Sequence, residues 1–289
     1  MVKLFLDSDC DFTLEDAKKF GATLISMPYN VKGKEFKPYV DAKTIDFHEY
    51  YNTLRKGIIP TTSALNPEDY IALFEPEFEA GNDIFYVHFS AQMSATFNSM
   101  RLALEQLKEK YPNRKFYELD TKGITIEGYI VAKEAARLFK EGKSPEEIIK
   151  WGETEVDKFA CYFFADDLKF FGKSGRVSGI AAFMGGIIGI RPILTMNSEG
   201  KMLPVGKVKG RRNAVMKLAD YVQELGEDLE NHTIVIGHAD AMHLVEEIET
   251  ELINRLGNKI KFDVIDVNPT AGAHCGPDTL GIAFYAKHR

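Results

Sequence analysis

The chain has 289 residues, a length that favours two domains over a single hydrophobic core. Hydrophobic residues make up 45% and charged residues 27%, a composition that is typical of globular proteins and excludes extensive disorder. The 36 basic and 43 acidic residues give a formal net charge of -7, so no general positive field attracts nucleic acid or an anionic membrane surface.

The cysteines and the apolar segments indicate in which cellular compartment the protein is expected. Cys10, Cys161 and Cys275 are far apart and odd in number, which disfavours a secreted disulfide framework. The first residues place a charge inside a short apolar run, unlike a signal peptide. Residues 177–190 are nearly uncharged, but they are fewer than the roughly 18 to 20 apolar residues that a membrane helix needs. We therefore expect a cytoplasmic protein without an integral membrane segment.

The first half alternates short apolar runs with helical patterns. We predict strands at residues 3–6, 83–87 and 115–119, and helices over residues 66–73, 97–107 and 126–141. This alternation predicts a mainly parallel sheet with flanking helices, whose ligand crevice lies beyond the carboxyl ends of its strands. The loops after Leu6, Val87 and Leu119 should line that crevice.

The second half predicts a further α/β domain. Residues 142–145 end one predicted helix and begin another, which reaches residue 156. We place the domain boundary near the end of this second helix, with domains 1–157 and 158–289. Strands are predicted at residues 160–164, 190–196, 202–208, 233–236, 262–267 and 280–285, with helices over residues 213–225 and 241–256. Residues 197–200 read as a hairpin turn, which predicts a mixed sheet with helices.

Common enzyme motifs are missing from the sequence. No Gly-x-Gly-x-x-Gly follows the first strand, and Asp167 stands where a P-loop ending at Gly172-Lys173-Ser174 would need glycine. No Gly-x-Ser-x-Gly elbow occurs. His238, Asp240 and His243 could meet at a strand end, but their spacing matches no standard zinc pattern and Asp240 suits the N-cap of the next helix. We predict neither a metal nor a cofactor.

Three polar loops without acidic residues suit an anion. They are residues 60–63, 90–96 and 271–277, and they offer hydroxyls, backbone amides and an imidazole near helix starts. A carboxylate or a phosphate would fit. The alternative is that Thr62, Ser63 and Ser94 are helix caps and that His274 is a residue of a glycine-rich turn.

Six short motifs follow one another in an order that resembles the DegV family. They are Asp7-Ser8-Asp9, Thr61-Thr62-Ser63, residues 90–97, Gly175-Arg176-Val177, Arg191-Pro192-Ile193-Leu194 and residues 272–277. The resemblance spans nearly the whole chain. It implies a two-domain α/β protein that binds a long-chain fatty acid and presents it to a separate fatty acid kinase, which converts the carboxyl group to an acyl phosphate.

The resemblance also implies site residues. The ligand carboxylate would lie near Thr62, Ser63, Ser94 and His274, with the acyl chain between the domains. Three departures bear on the headgroup: Ala64-Leu65 replaces Gln-Pro, Ala91 replaces a common serine and Ala95 a common glycine. We expect the methyl group of Ala95 to crowd the approach to an anion, and Ala91 to remove a hydroxyl donor.

A basic loop and a small-residue segment complete the candidates. Lys207, Lys209, Arg211 and Arg212 lie where the family carries basic residues implicated in kinase docking, with Lys209 and Arg211 as the leading positions. A solvated loop is the alternative. Residues 178–190 mix small and apolar side chains and could leave room for an alkyl chain, although close helix packing explains them as well.

The sequence thus predicts a fatty-acid-binding protein rather than an enzyme. The alternative from another class is a serine esterase or acyltransferase in which Ser94 attacks, His274 acts as base and Asp7 orients the imidazole. A regulator that binds a sugar or a phosphate through the same loops is a third possibility.

Overall fold

The computed structural model describes residues 1–41, 43–183 and 189–289. The elements of the first half are β1 (Val2–Asp7), α1 (Leu14–Phe20), β2 (Thr23–Ile25), β3 (Tyr29–Val31), β4 (Lys34–Phe36), α2 (Phe47–Arg55), β5 (Thr61–Thr62), α3 (Pro67–Glu79), β6 (Asp83–His88), α4 (Thr96–Lys110), β7 (Phe116–Asp120), α5 (Ile126–Lys140) and α6 (Pro145–Glu155). Those of the second half are β8 (Phe159–Phe164), α7 (Lys169–Ser174), β9 (Ile190–Met196), β10 (Met202–Lys209), α8 (Arg211–Leu225), β11 (Thr233–His238), α9 (Met242–Leu256), β12 (Lys261–Asp266), α10 (Pro269–Cys275) and β13 (Leu280–Tyr285).

The first sheet is parallel throughout, as predicted. Its four strands lie in the order β2-β1-β6-β7. In β6, Ile84 to His88 are buried, which fits a central strand covered on both faces. The helix after this strand begins with Thr96 and reaches Lys110, close to the predicted span.

The second sheet is mixed, which confirms the predicted fold class. Its strand order is β10-β9-β8-β13-β11-β12, and β11 and β12 form its parallel pair. β9 and β10 are antiparallel neighbours joined by residues 197–201, which confirms the hairpin. In the turn, Asn197 Oδ1 accepts hydrogen bonds from the backbone N–H groups of Glu199 and Lys201.

Several short elements were not predicted from the sequence. β3, β4 and β5 form a small antiparallel sheet, so Thr61 and Thr62 belong to a strand rather than to a loop before a helix. The prediction of a glycine-rich turn at residues 271–277 was wrong for residues 271–275, which belong to α10. This helix has Asn268 as its N-cap. Each piece is too short for hydrophobic periodicity to reveal.

Helix α5 lies between the two sheets and contacts both. It packs against β6 of the first sheet and against β8, β11 and β13 of the second. Ile126 at its first turn is buried against Gly237 and Gly281, where an added Cβ atom would come within 2.2 and 2.9 Å of the Ile126 side chain. These glycines therefore allow the helix to approach the second sheet closely.

Arg289, in the second half of the chain, contacts residues of the first half near this helix. Its guanidinium donates hydrogen bonds to the backbone carbonyls of Val156 and Lys122 at 3.0 and 2.9 Å. It also lies 3.3 Å from Glu127 Oε1, and both side chains are almost fully buried. Burial raises the pKa of the Glu127 carboxyl to about 8, and the charge of Arg289 opposes this rise. Loss of the guanidinium would therefore leave a buried carboxyl without a charged neighbour and the backbone carbonyls without a donor.

The two main sheets are built from separate parts of the chain, which meet near residue 157. All strands of the first sheet precede this position and those of the second follow it. The domains 1–157 and 158–289 stay a prediction, because one buried apolar cluster runs across both sheets. Within the described residues, no helix has the length and apolar character needed to cross a membrane.

Replacement of Arg289 by methionine should destabilise the fold. We expect the Arg289→Met change to lower the free energy of unfolding by about 3–5 kcal/mol, because Glu127 and the carbonyl acceptors lose their partner. Urea unfolding followed by circular dichroism measures this. Arg137→Met is the control, since Arg137 is half exposed and its ion pairs with Glu134 and Glu141 contribute less than about 1 kcal/mol. Equal losses in the two variants would contradict the assignment.

Candidate functional site

An apolar cavity lies between the two sheets and encloses about 940 Å³ of empty space, its open mouth included. Its wall is mostly hydrophobic. The lining side chains are Met27, Phe89, Met93, Ile124, Ile126, Cys161, Phe163, Phe171, Met196, Met202, Val267, Ala271 and Cys275 among the apolar ones, and Asp9, Thr62, Ser63, Ser94, Thr125, Arg176, Thr270, His274 and Thr279 among the polar ones. A cavity of this kind suits a ligand with a long apolar part and few polar atoms.

The loops at the carboxyl ends of the first sheet line this cavity, as predicted. Asp9 follows β1, Phe89 and Ser94 follow β6, and Thr125 follows β7. The parallel strands end at the same edge, so their loops converge there. The second sheet supplies the opposite wall, which the first-sheet pattern alone could not indicate.

The polar end of the cavity is built by β5 and α10. Thr62 Oγ1 and His274 Nε2 are 2.9 Å apart and form a hydrogen bond whose direction depends on the histidine tautomer. Both residues also line a neighbouring outer pocket of about 710 Å³, together with Lys173 and Arg176. The hydroxyl and the imidazole therefore stand where the apolar cavity meets the surface.

His274 is neutral at ordinary pH. Burial and, as the smaller cause, the nearby charge of Arg176 together lower the pKa of its imidazole to about 4. A neutral ring can donate a hydrogen bond from one nitrogen and accept one at the other. It thus offers a dipole rather than a charge to a ligand headgroup.

The two serines differ in their contacts. Ser94 Oγ accepts a hydrogen bond from the Thr96 N–H at 3.2 Å and lines the cavity. Ser63 also lines the cavity, but its hydroxyl donates to Glu35 at 2.7 Å. All four predicted headgroup residues thus line the same cavity, and the hydroxyl of Ser63 is engaged by Glu35. Neither Thr62 nor Ser63 caps α3, since Asn66 does so.

Arg176 was not singled out as a site residue from the sequence. Its exposed side chain lines both the cavity and the outer pocket, and its guanidinium donates to the Ser174 carbonyl at 2.7 Å. An arginine is the side chain best suited to a carboxylate. Its place in the Gly-Arg-Val motif was the available signal, but the sequence could not show that α7 brings it to the mouth.

The three departures from the family pattern do not shape the cavity. Ala64, Ala91 and Ala95 are absent from its wall within the described residues, and Ala64 and Ala95 are exposed. The effect of the Ala95 methyl group on an anion stays a prediction. Leu65 is buried, and its N–H donates to Thr96 Oγ1.

The basic run predicted as a loop is not a loop: Lys207 and Lys209 lie at the end of β10, and Arg211 and Arg212 begin α8. Arg211 is half-buried and pairs with Asp166, which also binds Arg191. Lys207, Lys209 and Arg212 are exposed and form no ion pair within the described part of the chain. The three exposed cations, rather than Arg211, are therefore available to a partner.

The remaining candidates from the sequence receive no support. Residues 1–41, 43–183 and 189–289 contain no group of three metal-ligating side chains, so His238, Asp240 and His243 do not form a metal site there. Asp240 binds Arg55 and does not cap α9, whose N-cap is Ala241. Of the small-residue segment, residues 184–188 lie outside the described residues, so its role as room for an alkyl chain stays a prediction.

The ring of His274 should resist protonation. The folded pKa of about 4 lies below the value of 6.5 for an unperturbed histidine. The unfolded chain therefore takes up a proton first, and this group lowers stability as the pH falls from about 6.5 to about 4. Nuclear magnetic resonance of the labelled histidine should give a midpoint near 4, and Arg176→Gln should raise it modestly, since burial is the larger cause. A midpoint near 6.5 in the intact protein would refute this.

Comparisons with known proteins agree with this architecture. The family model described as "Uncharacterised protein, DegV family" matches residues 1–287. A DegV domain-containing protein of Clostridium perfringens is 32% identical over 284 residues, which cover 97% of this chain and 96% of the relative. A fatty-acid-binding DegV family protein from Thermus thermophilus has a TM-score of 0.86 at 22% identity and covers 99% of both chains. A stearic-acid-binding protein from Eubacterium ventriosum has a TM-score of 0.84 at 21% identity, covering 98% of this chain and 97% of its own. The chain therefore belongs to the DegV family.

Proposed function

We propose that this protein binds a long-chain fatty acid, buries its acyl chain in the cavity between the sheets and presents the carboxylate to a separate fatty acid kinase. The observation that carries the proposal is one apolar cavity with Thr62 and His274 hydrogen-bonded at its polar end and Ser94 in its wall. The solved relatives that are named for bound fatty acids have the same fold and support this ligand class.

The acyl chain accounts for most of the affinity. Each CH₂ group removed from water contributes about 0.8 kcal/mol, so a long chain supplies a large free energy without directional contacts. The wall of phenylalanine and methionine side chains suits such a chain, since methionine adapts to irregular shapes. The protein then needs few polar contacts to orient the ligand.

The headgroup contacts determine the orientation. Hydroxyl donors at Thr62 and Ser94 and the neutral imidazole of His274 would hold the carboxylate. Arg176 would supply the positive charge at the mouth. Because Thr62 and His274 also line the outer pocket, the carboxylate would remain within reach of a second protein.

The transfer of a phosphoryl group would be the work of the partner. The kinase would move it from a nucleoside triphosphate to a carboxylate oxygen and release the diphosphate. Nothing in this sequence matches a P-loop or a dinucleotide fingerprint. We place docking on Lys209 and its exposed neighbours Lys207 and Arg212, with Arg211 holding the start of α8 through Asp166.

The esterase alternative lacks an assembled triad. Within the described residues no hydrogen bond joins Ser94 to His274, whose Nε2 contacts Thr62. Asp7 is fully buried and accepts hydrogen bonds from the N–H groups of Cys10 and Phe89, away from the imidazole. A histidine with a pKa of about 4 is also a weak general base at neutral pH.

We place the protein in the cytoplasm. All three cysteines are buried and unpaired, as expected where thiols stay reduced. A cytoplasmic site also gives access to the nucleotide that the kinase consumes.

Loss of a headgroup donor should weaken fatty-acid binding. We expect Ser94→Ala and His274→Ala each to lower the affinity for stearate by about 1–3 kcal/mol, the range for a hydrogen bond to a charged group. Isothermal titration with delipidated protein measures this. Ser99→Ala on α4 is the matched control, because Ser99 lies outside the cavity wall. Wild-type affinity in both headgroup variants would refute the assignment, and hydrolysis of a chromogenic acyl ester that is lost with Ser94→Ala would favour the esterase.

Charge reversal at the end of β10 should impair phosphoryl transfer but not fatty-acid binding. We expect Lys209→Glu to lower the rate of acyl phosphate formation about tenfold at low salt, because exposed charges steer the encounter of two proteins. The assay uses the cognate kinase and this protein loaded with stearate. Lys108→Glu at the end of α4 is the control for net charge. A weaker stearate affinity would assign Lys209 to the ligand site instead. Equal rates of acyl phosphate formation in wild type and Lys209→Glu would leave the end of β10 as solvated surface.

A further inference from the structure

One acidic side chain in the cavity has no partner. Asp9 lies just after β1, lines the apolar cavity and is 6% exposed. Its Oδ1 atom is buried and forms no hydrogen bond with any residue that the structure describes. A buried polar atom without a partner is costly, so such an atom needs an explanation.

Two other buried polar groups of the cavity wall are satisfied by the protein. The Thr270 hydroxyl donates to the Met27 carbonyl at 2.7 Å, and the Thr279 hydroxyl donates to the Cys275 carbonyl at 3.0 Å. Both threonines line the same wall as Asp9. Asp9 therefore differs from these threonines, because one of its carboxyl oxygens has no hydrogen-bond partner in the protein.

The flanking carboxyl groups have structural partners. Asp7 accepts hydrogen bonds from Cys10, Phe89 and Tyr86. Asp11 Oδ1 accepts from the backbone and the side chain of Asn268, and Asp11 does not line the cavity. These contacts join the β1 loop to the β6 and β12 loops, so Asp9 is the member of the run that remains for a ligand.

Asp9 lies away from the outer pocket that Thr62 and His274 reach. Thr62 and His274 line both the cavity and the outer pocket, whereas Asp9 lines the cavity alone. The Asp9 carbonyl accepts a hydrogen bond at 2.7 Å from Thr125, which precedes α5 between the sheets. A group that meets the Asp9 carboxyl would thus belong to the acyl chain rather than to the carboxylate.

The protonation state of Asp9 suits a neutral polar group. Burial raises its pKa well above the usual range, and the charges of Asp7 and Asp11 raise it further. A protonated carboxyl donates one hydrogen bond and still accepts others. It complements a hydroxyl, which also does both, better than a bare hydrocarbon chain.

We propose that Asp9 selects fatty acids that carry a hydroxyl group on the acyl chain, and that this hydroxyl bonds to the Asp9 carboxyl inside the cavity. The inference rests on the proposed function and specifies its substrate. A site that forms hydrogen bonds with a ligand hydroxyl disfavours the analogue without it, because the buried polar group is then left unpaired.

The test compares stearate with a positional series of monohydroxylated stearic acids. Each competes with a fluorescent fatty acid for wild-type protein and for Asp9→Asn and Asp9→Leu. We expect at least one hydroxylated position to bind wild type about tenfold more tightly than stearate, equivalent to about 1.4 kcal/mol. Asp9→Asn should keep most of this preference, because an amide also donates and accepts. Asp9→Leu should remove it and bind stearate at least as tightly as wild type does.

The outcomes separate this inference from the function on which it rests. Failure of wild type to bind stearate or any member of the series would overturn both. Binding of stearate with no preference for any hydroxylated position would overturn the role of Asp9 alone, as would a preference that survives in Asp9→Leu. Melting temperatures check that both variants fold, and the comparison of ligands on wild type requires no variant.

Discussion

The placement of α5 between the two sheets is the constraint on which the rest of the structure depends. Ile126 enters the second sheet because Gly237 and Gly281 have no side chain to oppose it. The same turn ties the β1 loop through the Thr125 bond to Asp9, and Glu127 is held by Arg289. One helix start thus brings together the two sheets, the cavity wall and the buried ion pair.

The cavity follows from this arrangement. The first sheet offers the loops at the carboxyl ends of its strands, and the second offers apolar side chains such as Phe163 and Met196. The N-terminal turn of α5 lies between the sheets, and Thr125 and Ile126 there line the cavity. The small sheet and α10 close one end of it with Thr62 and His274, which gives the cavity its polarity.

Charge is distributed unevenly around this space. Asp7 is held through both of its carboxylate oxygens. Asp11 is held through Oδ1, and its unpartnered Oδ2 belongs to a residue outside the cavity wall, whereas Asp9 has an unpartnered oxygen and lines the cavity. Arg176 is at the mouth, where water and a partner can reach it. The deep wall is therefore neutral, and the charge that would balance a carboxylate is at the surface end.

The sequence by itself determined the class of the fold, most long elements and the list of headgroup candidates. Alternating apolar runs and helical patterns depend on neighbouring residues, so β6, α4 and the β9–β10 hairpin were predicted within a few positions. The tertiary structure alone decided which distant side chains meet. Thr62 and His274 are 212 positions apart in the chain, and they lie on two elements that are too short to show a hydrophobic period. Arg289 likewise contacts Glu127, which is distant in the sequence. Asp9 likewise appeared as an ordinary loop residue, because a missing hydrogen bond is a property of the packed interior and leaves no pattern in the sequence.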